Sequence, residues 1–311
     1  MSKPIVSVVM ITYNHEKYIE QSIHGVLMQK CNFEVELIIA NDKSTDSTHK
    51  VIDKLLKDTC LPNHITIRYY NHHKNKGMIN NFYWALEQSK GKYTALCEGD
   101  DYWFDPLKLQ KQVDFLEFHQ DYVLCGTGFH VINNNEVVRE ISSGDTNSQK
   151  SFEQHLMSNQ FATLTLCFKT KVLSMINLEA LHNYLLGDWP LTLRLLQFGK
   201  GIILSDITCA YREHDSGAFS LISSNNQSKT VLLTISKFIT QNSINISVER
   251  REQLKKELWQ VLYQTKDIRE RTDILKQVLP AIGSNKLKFQ TFMLIANTPH
   301  SVFSRLGWRL I

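Results

Sequence analysis

The chain has 311 residues, 42% hydrophobic and 21% charged, with a formal net charge of +4. That length suits one substantial domain plus an appendage, and the scattered, mildly basic charge gives no argument for nucleic acid as a partner. No run of about eighteen apolar residues is present, so no transmembrane helix is expected, and the opening "MSKPIVSVVMITYN" lacks a cleavage-site pattern, so no secretory signal is expected.

In chain order, "PIVSVVMI" is a short β-branched run that reads as a buried parallel strand. Ile19, Ile23, Val26 and Leu27 then recur at helical spacing. "FEVELIIA" is a second strand, followed by the turn "NDKSTDST" and a helix carrying Val51, Ile52, Leu55 and Leu56. "HITIRYY" alternates as a third strand, "MINNFYWALEQSKG" is a helix expected to close at Gly91, and "KYTALC" is a fourth strand. Asp105-Pro106 suits an N-cap and first turn for a helix marked by Leu109, Val113 and Leu116. "YVLCGTGFHVIN" and "FATLTLCF" read as strands separated by a polar loop, "NNNEVVREISSGDTNSQK". "GDWPLTLRLLQFGKG" is a helix starting near Asp188, followed by the strand "GIILSD" and a polar loop, "YREHDSGAFS". From about Ser223 glycines and strand patterns nearly vanish and amphipathic helices take over, so a boundary is expected there.

Strand–helix alternation implies βαβ units on a parallel sheet, whose ligands bind beyond the carboxyl ends of the strands. Those ends are "TYNHE", "ANDKS" and "CEGDD". The last gathers Glu98, Asp100 and Asp101 around one glycine, a repulsion that a cation, a basic side chain or solvent must relieve. No GxGxxG or GxxxxGK[ST] occurs, so dinucleotide and P-loop readings lack their glycines. Tyr13 can stack on a flat base, Asp42 can accept from a base N–H, and an acidic pair can hold Mg²⁺ or Mn²⁺. The plainer readings are a solvated turn for the acids, an Asx turn for Asp42 and a helix cap for Asp188. Six cysteines without a CxxC pair, several in apolar runs, read as reduced core thiols of a cytoplasmic protein.

The blocks "VSVVMITYNHEKYIEQSI", "VELIIANDKSTDST", "NKGMINNFYWALEQSKGKY" and "EGDDYWFDPLKLQKQVDFL" together resemble the family 2 glycosyltransferases of GT-A fold. They are most similar to the bacterial "EGDDYW" branch of capsule and O-antigen assembly. The resemblance implies an α/β, Rossmann-like, mostly parallel sheet with helices on both faces, plus a C-terminal helical extension. It divides the chain into a catalytic domain at 1–222, with nucleotide-sugar binding at about 1–120 and the acceptor part at about 121–222, and a helical region at 223–311. Asp188 then matches the catalytic base of inverting members, although Gly187 stands where Glu is usual. Thr12, Tyr13, Asn14, Asp42, Gly77, Asn80 and Asp100 fall on the nucleotide, Asp101 and His214 on the divalent cation, and Glu98, Trp103, Trp189 and Arg212 on the acceptor and sugar pocket. The implied reaction moves a sugar from a nucleotide-sugar donor, of UDP type, to a lipid-linked saccharide. A sugar-phosphate nucleotidyltransferase and an inactive binding subunit are the alternatives. The tail "KLKFQTFMLIANTPHSVFSRLGWRLI" mixes basic and large apolar residues, as an interfacial membrane helix, a segment packed on the catalytic domain or a homodimer contact would.

Overall fold

The computed structural model describes residues 5–214, 217 and 223–283. Every residue of β1 (Val6–Thr12) and β2 (Val35–Asn41) is buried, as β-branched runs without a polar face require. β1 lies between β2 and β4 (Tyr93–Leu96), and β2 carries β3 (Ile65–Asn71) on its other side, all parallel. Helices α1 (Ile19–Leu27), α2 (Thr48–Asp58) and α3 (Met78–Glu87) connect them. Beyond β4 come β5 (Tyr102–Trp103), α4 (Lys108–Phe118), β6 (Tyr122–Asn133), β7 (Glu136–Ile141), β8 (Ser148–Lys150), α5 (Phe152–Met157), β9 (Cys167–Lys169), α6 (Asp188–Leu195) and β10 (Lys200–Glu213). The strands form one mixed ten-stranded sheet, ordered β3-β2-β1-β4-β9-β6-β10-β5, with β7 on β6 and β8 on β10.

A carboxylate is buried within this sheet. Glu36 is 3% exposed, and it accepts from Ser7 at 2.5 Å and from Arg68 at 2.9 Å. These partners satisfy a carboxylate that would otherwise be costly to bury.

Several boundaries differ from the sequence reading. The polar loop holds β7 and β8; all six β7 residues are exposed, so no burial pattern betrays the strand. The run expected as one strand, "FATLTLCF", is a 3₁₀ turn at Thr163–Thr165 followed by the short β9. Gly91 does not close α3; a Cβ there would stand 2.6 Å from the Ser7 nitrogen, so the glycine serves strand approach. β10 runs unbroken to Glu213, which makes the start of the expected polar loop a strand. Asp105 caps the turn before α4, its carboxylate accepting from the Leu107 N–H at 2.8 Å.

Among the described residues, a second compact unit comprises Tyr184–Leu186, Gly217 and 223–283. Its described helices are α7 (Ser224–Gln241), α8 (Val248–Gln264) and α9 (Ile268–Ile282). Ile235, Phe238, Leu254, Leu258, Val261, Ile274, Leu275 and Val278 are each at most 2% exposed. Ser247 and Asp267 cap α8 and α9. Among the described residues no helix is long and apolar enough to cross a membrane. The tail considered for membrane contact lies outside the described residues.

The turn after β4 is held from below by α1. A Cβ on Gly25 would approach the Trp103 carbonyl oxygen to 2.7 Å and its nitrogen to 2.8 Å, so helix and β5 touch backbone to backbone. Gly25→Ala should therefore destabilise the protein by about 1–3 kcal/mol through overpacking. An unchanged urea-unfolding midpoint would contradict that close approach.

Candidate active site

The apolar run of β4 ends at Cys97, and the chain turns through Glu98, Gly99, Asp100 and Asp101 into β5. Gly99 permits the turn: a Cβ there would stand 2.7 Å from the Thr12 hydroxyl and 3.0 Å from Nδ1 of His15. Asp100 Oδ2 meets two imidazoles, Nε2 of His214 at 3.1 Å and Nε2 of His15 at 3.5 Å. Burial opposes its charge, but the His214 hydrogen bond and the two imidazoles hold its carboxyl below the usual range. Asp101 is 1% exposed, and its Oδ1 accepts the Arg212 backbone N–H at 2.8 Å. Burial, Asp100 and Glu98 push its carboxyl well up.

Asp101, expected on the cation, accepts the Arg212 N–H at the end of β10, and Asp100, expected on the nucleotide, faces the imidazoles. Arg212, expected on the acceptor and sugar pocket, is 6% exposed, donates to the Asp100 carbonyl, Asn135 and Gln21, and stacks over Tyr18 and Tyr102, so it braces the turn. Trp103 and Trp189 belong to the core. They are 1% and 3% exposed, and their indole N–H groups donate to the carbonyls of Leu164 and His155.

On the nucleotide side, Tyr13 is 44% exposed and keeps its ring available. Thr12 is buried. Asn14, at φ 57°, accepts from the backbone N–H groups of Thr45 and Asp46 and so ties the ends of β1 and β2 together. Asp42 is 3% exposed and takes the N–H groups of Lys76 and Gly77 at 2.7 and 2.9 Å. Its carboxylate clamps the entrance to α3, where Gly77 sits at φ 84°. Asn80 bonds the Lys76 carbonyl and His182.

Asp188 opens α6, its carboxylate half-buried. Burial raises its pKa, against hydrogen bonds from Trp189, Thr163 and Asn159. Sequence reasoning missed the scaffold around it. Ser151 and Gln154 form a capping box that starts α5, a signal present in "SFEQ". Within α5, His155 accepts the Gln160 N–H on Nδ1, so its Nε2 carries the proton and donates to Thr192 Oγ1 at 2.7 Å. Thr192 in turn donates to the Asp188 carbonyl.

Buried polar atoms without a partner gather at these strand ends: Thr12 Oγ1, His15 Nδ1 and Asp101 Oδ2. Among the described residues no three His, Cys, Asp or Glu side chains form a ready metal cage. A carboxylate with a neighbouring imidazole fits a cation that brings phosphate and water ligands with it, and mixed O/N donors suit Mn²⁺. A wide trough of about 1550 Å³ lies at the opposite, amino ends of the strands, lined by Ile5, Val35, Ile65 and Lys92, and holds none of the expected site residues.

Burial holds the His155 imidazole down to about 3. The unfolded chain takes that proton below about pH 6.5 while the folded state refuses it, so this group's stability falls as pH drops from 6.5 toward 3. Between pH 7.5 and 5.5 it should remove about 1.4 kcal/mol. His155→Asn, which keeps an acceptor for Gln160, should lack that increment in urea unfolding; an equal pH dependence would refute the assignment.

The family model described as Glycosyl transferase family 2 matches residues 7–185. An uncharacterised protein of Mycobacterium tuberculosis, Rv1520, is 34% identical over 218 residues, 68% of this chain and 59% of that protein. The chain thus spans about 59% of the length of that relative. A Bacillus subtilis protein provisionally named as a teichuronic acid biosynthesis glycosyltransferase, TuaG, is 35% identical over 114 residues, 37% of this chain and 42% of that one. Of the solved structures, Staphylococcus aureus TarS 1–349 with UDP-GlcNAc superposes at a TM-score of 0.66 and 16% identity, covering 98% of this chain and 89% of that one. The mannosyltransferase PcManGT of Pyrobaculum calidifontis, in complex with GDP-Man and Mn²⁺, gives 0.54 at 12% identity, covering 99% and 85%. These likenesses give the GT-A fold. With its family match spanning the acidic turn, the strand ends before it and the 3₁₀ turn beside Asp188, the chain belongs to glycosyl transferase family 2.

Proposed function

We propose that the chain is an inverting glycosyltransferase that moves a sugar from a UDP-sugar to a hydroxyl of a lipid-linked saccharide. Its setting is surface-polysaccharide assembly, on the inner face of the cytoplasmic membrane. One observation carries this reading. At the carboxyl ends of the parallel strands Asp100 Oδ2 meets Nε2 of His214 at 3.1 Å and Nε2 of His15 at 3.5 Å, beside the buried, unpartnered Asp101 Oδ2, a carboxylate–imidazole cluster suited to a cation that arrives with a diphosphate. The nucleotide sugars and Mn²⁺ bound by TarS and PcManGT support a nucleotide-sugar donor and a cation.

In this reading Tyr13 stacks on the base. Asp188 takes the proton of the acceptor hydroxyl as its oxygen bonds the anomeric carbon, the bond to the nucleotide diphosphate breaks, and the configuration inverts. Burial raises its pKa, the direction that makes a carboxylate a better proton acceptor. Asp100 and His214 would hold the cation, which when bound neutralises charge developing on the leaving diphosphate. Asp101 and Arg212 keep the turn in place behind them.

Two experiments test the proposal. With a nucleotide-sugar panel and membrane extract as acceptor, mass spectrometry should find a glycosylated product. Asp188→Asn should then lower turnover by about 100-fold or more while UDP still binds. Formation of a nucleotide sugar from UTP and a sugar phosphate, with no transfer, would favour a nucleotidyltransferase. For the cation, Asp100→Asn should abolish Mn²⁺ retention with UDP in electron paramagnetic resonance. Asp101→Asn should retain it, because the amide oxygen still accepts the Arg212 N–H. The reverse order would restore Asp101 to the cation.

A further inference from the structure

Thr163 and Asn159 lie outside every motif that marks the site, yet both donate to the Asp188 carboxylate. The Thr163 hydroxyl stands 3.2 Å from Oδ2 and the Asn159 amide nitrogen 3.3 Å from the same oxygen. Oδ1 takes part in neither bond. The backbone on either side is pinned as well: the Tyr83 hydroxyl donates to the Gly187 carbonyl at 2.8 Å, and Thr192 to the Asp188 carbonyl at 3.0 Å. A carboxylate fixed on both its side-chain and main-chain sides has little freedom to turn.

We propose that Thr163, seconded by Asn159, is a positioning residue for Asp188, fixing which carboxylate oxygen meets the acceptor and favouring the ionised form that takes its proton. The inference rests on Asp188 acting as the base. Physically, a hydroxyl or amide donor stabilises the ionised carboxylate more than the neutral acid. The work is needed here because the surroundings oppose the charge. Burial disfavours ionisation, and His155 on α5 is held neutral and supplies no compensating charge, while Glu98, on the turn after β4, is a second acid within electrostatic range whose own carboxyl is pushed up. Tyr83, from α3, spends its hydroxyl on the backbone. Thr163 and Asn159 are the side chains whose donors reach the carboxylate itself.

Thr163→Val removes the hydroxyl at nearly constant volume, and Thr163→Ser keeps it. Urea unfolding at pH 8 and pH 5 would be measured for both variants, and for Thr163→Val on an Asp188→Asn background. Thr163→Val should raise the unfolding constant by roughly tenfold at pH 8 and by less at pH 5, because burial raises the Asp188 carboxyl and the hydroxyl favours its ionised form. Thr163→Ser should track the wild type at both, and the pH dependence should vanish on the Asp188→Asn background. An equal effect at both pH values, or one that persists without the carboxylate, would mean that Thr163 only packs and would overturn the inference. With an active donor and acceptor in hand, Thr163→Val should also move the acid limb of kcat to higher pH while leaving UDP affinity within about twofold. Failure of the base reading looks different: Asp188→Asn would keep full turnover, while the unfolding cycle would still report whether Thr163 holds the carboxylate.

Discussion

Three carboxylates crowd the turn after β4, and much of the catalytic unit can be understood as the means of keeping them there. Each would rather be solvated or neutral; Asp101 and Glu98 are accordingly pushed up, while Asp100 is held down by two imidazoles. The chain meets this repulsion with groups from far away in sequence. β10 delivers the Arg212 N–H to Asp101, and His214, just after its end, meets Asp100. The end of β1 delivers His15, and Gly25 lets α1 press directly on β5. The acids are thereby divided in duty. One is locked inward, and one is left beside nitrogen donors.

Asp188 is supported by different means. Asp188 sits at the first position of α6, where the helix dipole favours an anion but burial opposes it. Its backbone is fixed through a neutral histidine and a threonine, and its side chain by two donors. Such support fits a carboxylate that has to exchange a proton reproducibly.

Much of this was legible in the sequence. The continuous β-branched runs gave the buried central strands, and the strand ends located the acids, because parallel sheets present their carboxyl ends to ligands. Asp188 was singled out by the family resemblance, despite Gly187 where Glu is usual. What stayed hidden depends on contacts across long separations. Nothing local tells that Arg212 is consumed by Asp100, Asn135 and Gln21, or that Asp42 clamps Lys76 and Gly77. Trp103 and Trp189 looked like pocket walls because they adjoin acids, but each indole finds a carbonyl in the core. β7 was illegible for another reason: an edge strand exposed on every residue carries no burial period.

The central claim is that the acidic turn is a site for a cation that arrives with a diphosphate, completed by the ligand and not by a protein cage. Calorimetric titration of UDP, in Mn²⁺ and separately in excess EDTA, addresses it most directly. The account predicts that Mn²⁺ tightens UDP binding by about tenfold or more, with the same coupling seen when UDP is fixed and Mn²⁺ is titrated. Equal UDP affinity in Mn²⁺ and in EDTA would contradict it.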